Sequence, residues 1–169
     1  TVLALGLQIA SFSQIKKNPA DDLLVQSRLL IEQKDYDKAK LSLNLHNKYV
    51  ENEPKKWLAG QHLLIQIALD NNNLTEVQAL LKESDDIIAS NKLNQAKQAR
   101  EIALQKADFY LLQNRFIESN KTLGKLISEF SSHRAQEKLI NNKIDEALIL
   151  KLKGESPKQN TLDKLVAEY

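Results

Sequence analysis

The chain has 169 residues, with 24 Lys and Arg against 22 Asp and Glu, a formal charge of +2, and neither Cys nor Met. That length suits one domain able to bury about 70% of the surface its unfolded form exposes, without help from metal or disulfide. Absent cysteine excludes a disulfide framework, a thiol nucleophile and a Cys-based metal centre, and interspersed charge argues against a nucleic-acid footprint, which needs a clustered basic face.

Only 4 Gly and 3 Pro interrupt a composition rich in Leu, Ala, Lys, Gln, Asn and Glu. The expected class is therefore all-α. With no Met at position 1, the chain is expected to be part of a longer or processed polypeptide.

The opening stretch, TVLALGLQIASFSQI, carries no charge before Lys16. Val2, Leu5, Ile9 and Phe12 fall at helical spacing, which reads as a packed leading helix over residues 1–17. The alternative is the end of a secretory signal, with Ser11-Phe12-Ser13 as a small-x-small cleavage site. The first reading goes with a cytoplasmic location, the second with an exported one. The segment is too short and interrupted to span a bilayer, and no membrane span is expected.

After Pro19, ADDLLVQSRLLIEQ reads as a helix whose Asp21 and Asp22 suit its N-terminal dipole. A break at Lys34-Asp35 precedes a second helix, YDKAKLSLNLHNKYV. The same outline follows twice. KKWLAGQHLLIQIAL is parted from LTEVQALLKESDDIIA by Asn71 to Asn73, and NQAKQAREIALQKADFYLL from FIESNKTLGKLISEF by Asn114-Arg115. Asn suits these breaks because it tolerates the left-handed backbone that ends a helix. The first residues after the breaks, Tyr36, Leu74 and Phe116, lie 38 and 42 positions apart. Three residues on come Ala39, Val77 and Ser119, and seven on come Leu43, Leu81 and Leu123. This period predicts an α-solenoid of hairpins over 20–54, 56–91 and 93–131, since one hairpin cannot bury its apolar face alone. The rest, 133–169, reads as an irregular terminal hairpin: a long helix, a turn from Gly154 to Pro157, and a final helix.

The segment KDYDKAKLSL resembles the turn and second-helix start of the tetratricopeptide repeat (TPR). Ser27 and Ala107 fall where that family places small residues, Tyr110 on its aromatic position, and Pro19 and Pro54 near its inter-repeat proline. The resemblance covers about residues 19–130. Gln26 and His46 depart from the pattern, and the units exceed the family's period of about 34 residues. Longer units of this kind are also similar to the sensor segments of MalT-type transcription activators.

Chemistry finds little foothold in the residue pattern. His46, His62 and His133 lack the partners of a three- or four-ligand shell. Glu129 and His133, four apart, read as an ordinary helix-surface pair. The glycines are isolated, so no phosphate loop or nucleophile elbow exists. Neither enzymatic activity nor a cofactor or metal is expected.

The TPR resemblance implies instead that first helices line a concave groove. Its positions there are Leu24, Arg28 and Ile31, then His62, Gln66, Leu69 and Asp70, then Leu104, Asp108 and Leu111. An apolar stripe edged by charge suits a protein or peptide partner presenting an amphipathic helix. The expected function is partner binding or scaffolding. The alternative is an effector-sensing regulatory solenoid of a bacterial MalT-like activator or signalling protein.

Overall fold

The computed structural model describes residues 19–153, so the expected leading helix and the turn and helix beyond Gly154 lie outside the described residues. All regular structure described is helical: α1 Pro19–Glu32, α2 Tyr36–Tyr49, α3 Pro54–Asp70, α4 Leu74–Ser90, α5 Lys97–Leu112, α6 Phe116–Phe130 and α7 His133–Leu152. Helix α1 packs along α2, α3 along α4, and α5 along α6. Helix α3 also meets α1, α2 and α5, while α7 closes against α6.

Three turns set this order, and they are built alike. Lys34, Asn72 and Asn114 adopt positive φ, at 59°, 52° and 58°. Each donates its N–H to the carbonyl three residues back, at 2.9 Å. The next residue donates to the carbonyl five back, Asp35 to Leu30, Asn73 to Ala68 and Arg115 to Tyr110, at 2.8–2.9 Å. These paired bonds satisfy carbonyls that the helix end leaves open. The residue that completes each turn is also the N-cap of the next helix. Asp35 accepts from the Lys38 N–H and Asn73 from the Glu76 N–H. Arg115 instead holds Glu118 at 2.6 Å and stacks over the Tyr110 ring.

Measured from the three left-handed residues, the same places are buried in each hairpin. Seven before lie Ser27, Ile65 and Ala107; five after, Ala39, Val77 and Ser119; nine after, Leu43, Leu81 and Leu123; twelve after, His46, Ser84 and Leu126. In the third hairpin the first two sets meet directly, Ser119 Oγ donating to the Ala107 carbonyl at 2.9 Å, and in the second Ile65 and Val77 share one core cluster. Each fully buried Leu or Ile contributes about 1.5–3 kcal/mol.

The core divides into three neighbouring clusters. Ala39, Leu43, Leu64 and Ile67 join α2 to α3, with Leu24, Leu30 and Ile31 of α1 packed against them. Leu58, Ile65, Val77, Leu81, Ile102 and Phe109 join α3 to α4 and α5, with Trp57, the chain's single tryptophan, against them. Leu104, Ala107, Leu123, Leu126 and Ala135 join α5 to α6 and α7. Buried polar groups stitch the seams. His46, fully buried, sets Nδ1 2.7 Å from the Ala20 carbonyl and Nε2 3.1 Å from the Lys56 carbonyl. Asn142 of α7 donates to Ser119 Oγ at 2.7 Å.

Large apolar side chains remain exposed mainly at the two ends of the series: Val25, Leu29, Leu41, Leu45 and Tyr49 on the first hairpin, Ile144, Leu148 and Leu152 on α7. The expected Glu129–His133 pair on one helix surface does not form. Glu129 and His133 share no helix, because Ser131 turns left-handed at φ 48° and Ser132 caps α7. No helix among the described residues is long and apolar enough to cross a membrane.

Candidate functional site

Helix α3 lies beside α1 and α5, and polar residues of α3, α5 and α7 meet in a row. Gln105 of α5 donates to the His62 carbonyl of α3 at 3.0 Å. From α7, Arg134 pairs with Glu101 at 2.7 Å and Lys138 with Asp108 at 2.6 Å. On α3, Asp70 accepts from Gln66 at 2.9 Å and from the Tyr36 hydroxyl at 3.3 Å. Desolvation and the negative charge of Asp70 raise the Tyr36 phenol above its ordinary range.

His62 is the centre of this row. Burial is the main cause holding its imidazole below the ordinary histidine range, and the positive fields of Arg134 and Arg28 add to it. The Gln105 amide beside the ring and the Glu101 carboxylate oppose the shift. His62 Nδ1 and Gln105 Oε1 are both buried without a hydrogen-bond partner. Leaving such atoms unpaired costs about 1–3 kcal/mol each, so this is the least satisfied point of the face.

The residues expected to line a groove differ in burial and in what they already touch. Arg28 is exposed, and His62, Gln66 and Leu111 are half-buried. Leu24, Ile31 and Leu69 are half-buried because one flank of each packs on a core cluster. Leu104 is 5% exposed and belongs to the core. Helix α7 covers it through Ala135 and Leu139, so Leu104 offers nothing to a partner. Asp70 and Asp108 sit on the face but are engaged within the chain, Asp108 by a lysine the sequence reading did not place there. No local signal marks that pairing, because Arg134 and Lys138 stand one turn apart on α7 while Glu101 and Asp108 stand two turns apart on α5.

Among the described residues, no group of three or more His, Asp or Glu side chains is placed to hold a metal ion. No protein family, curated protein or solved structure matches the chain.

Proposed function

We propose that the chain is a TPR-like α-solenoid that binds a protein or peptide partner and performs no catalysis itself. The observation that carries this reading is the agreement among the three hairpins. Left-handed residues at 34, 72 and 114 share one hydrogen-bond pattern, and the buried places share one set of offsets. Hairpins built alike and stacked in chain order are the construction of helical repeat proteins, whose extended faces serve as binding surfaces.

The proposed docking face is that of the first helices. Arg28, Gln66 and His62 would meet the partner's polar groups, and the exposed flanks of Leu24, Ile31, Leu69 and Leu111 its apolar ones. An amphipathic helix or an apolar peptide fits such a mixture.

The test is affinity capture from source-cell lysate with the whole chain as bait, beside an Arg28→Ala/Gln66→Ala variant whose circular dichroism matches the parent. Neither residue belongs to a core cluster. A protein recovered by the parent and lost by the variant supports this face. Equal recovery by both assigns binding elsewhere.

A further inference from the structure

Helices α4 and α6 both pack on α5 but share no packed interface with each other. They therefore leave a trough over α5. It holds two clefts, of about 360 Å³ and 300 Å³, which join at Asp85, Lys106 and Tyr110. The floor is apolar: Ile88, Tyr110 and Phe130 are its half-buried side chains, seated over the buried Leu81, Ile102, Phe109 and Leu126.

The walls are cationic: Lys82, Arg100, Lys106, Arg115, Lys121 and Lys125 line the trough against only two carboxylates, Asp85 and Glu129. Asp85 is taken by Lys106, Glu129 lies 3.9 Å from Lys125, and Glu118 holds Arg115. Lys82, Arg100 and Lys121 keep no carboxylate partner among the described residues. The Arg100 guanidinium lies 5.0 Å from the centre of the Phe130 ring, which stations a charge at the trough wall. In a chain whose whole formal charge is +2, this is a concentrated positive surface over an apolar floor.

We propose that the trough between α4 and α6 is a docking groove for an acidic amphipathic helix of a partner protein. The groove runs the length of α5, whose 16 residues extend about 24 Å. That suits a helix of about four turns, with apolar residues at i, i+3/i+4 and i+7 on the floor and carboxylates toward the walls. A single small molecule would fill only one of the two clefts. Nucleic acid fits less well, because the lining holds more aliphatic than aromatic side chains on which bases could stack. This surface is separate from the first-helix face, so either proposal can fail without the other.

The experiment uses the whole chain and a labelled synthetic 18-residue helix carrying Leu on one face and Glu on its flanks. Controls are a scrambled peptide of the same composition, a Lys-for-Glu version and a single-stranded RNA oligonucleotide. Fluorescence anisotropy should give a Kd in the micromolar range for the acidic helix. Lys82→Glu/Lys121→Glu, which reverses two exposed and unpaired charges, should weaken it at least tenfold and favour the Lys version. Three results would overturn the proposal: equal binding of the scrambled peptide, binding unchanged by the charge reversal, or tighter binding of the RNA with loss in the same variant.

Discussion

Gly60 shows how a single atom can decide the seam between α2 and α3. A Cβ there would overlap Asn47 Oδ1 and come within 2.8 Å of the His46 ring. That ring cannot retreat, because two backbone carbonyls hold it, and Asn47 is tied to Gln61. Replacing Gly by Ala in a helix interior gains about 1 kcal/mol, but overpacking costs about 1–3 kcal/mol. Gly60→Ala is therefore expected to destabilise the protein by about 1 kcal/mol, and to cost less when Asn47 is already Ala, since only the contact with the His46 ring then remains. Urea denaturation of the four chains in this cycle reads the sign directly, and a stabilising Gly60→Ala single variant contradicts the account. His62 carries the second prediction at this scale. Its folded pKa lies below the unfolded value because burial disfavours the imidazolium. As pH falls through about 6.5, the unfolded state takes up a proton that the folded state refuses, so stability is lost on acidification. His62→Gln should show a flatter stability profile between about pH 7.5 and 5.5. Arg28→Ala, which removes a nearby cation, should raise the His62 midpoint followed by NMR.

The turns are the units in which the elements were legible. Runs of apolar residues at helical spacing, broken by Lys34-Asp35, Asn71 to Asn73 and Asn114-Arg115, mark the ends of α1 to α6 to within a few residues. Local chemistry is enough there: Asn accepts a left-handed backbone, and the next side chain can cap the following helix. What was not legible depends on distant contacts. The break after Phe130 was legible as a loss of repeat spacing, but nothing local marks Ser131 as left-handed, so Glu129 and His133 could still be read as a pair on one helix surface. The burial of His46 depends on carbonyls supplied by two other helices, and Leu104 is core only because α7 lies over it. The trough beside α5 has no local signal either, since it is the space two helices fail to fill. Lys34 supplies the prediction here. An L-residue at φ 59° carries strain that glycine lacks. Lys34→Gly should stabilise the protein by about 0.5 kcal/mol, the relief being partly offset by a more flexible unfolded chain. Asn114→Gly should gain less, because Asn tolerates that backbone better. Chemical denaturation distinguishes the two, and a loss of stability in Lys34→Gly would show that the lysine stabilises its turn by some other means.

At the scale of the molecule, packing among the described residues stays between near neighbours: no packed interface joins α1 or α2 to α5, α6 or α7. Each core cluster can therefore loosen while the others persist, and among the described residues the exposed apolar side chains lie mainly on the first hairpin and α7. Trp57, partly buried on α3 against the central cluster, is the sole indole in the chain. Its emission is thus a gauge of the central cluster, whereas far-UV circular dichroism averages every helix. In urea the tryptophan midpoint should lie above the dichroism midpoint, as the ends open first. Coincident midpoints would mean that the helices melt as one. A gap between them would give this protein two melting curves, one for its centre and one for its length, and no single unfolding free energy would describe both.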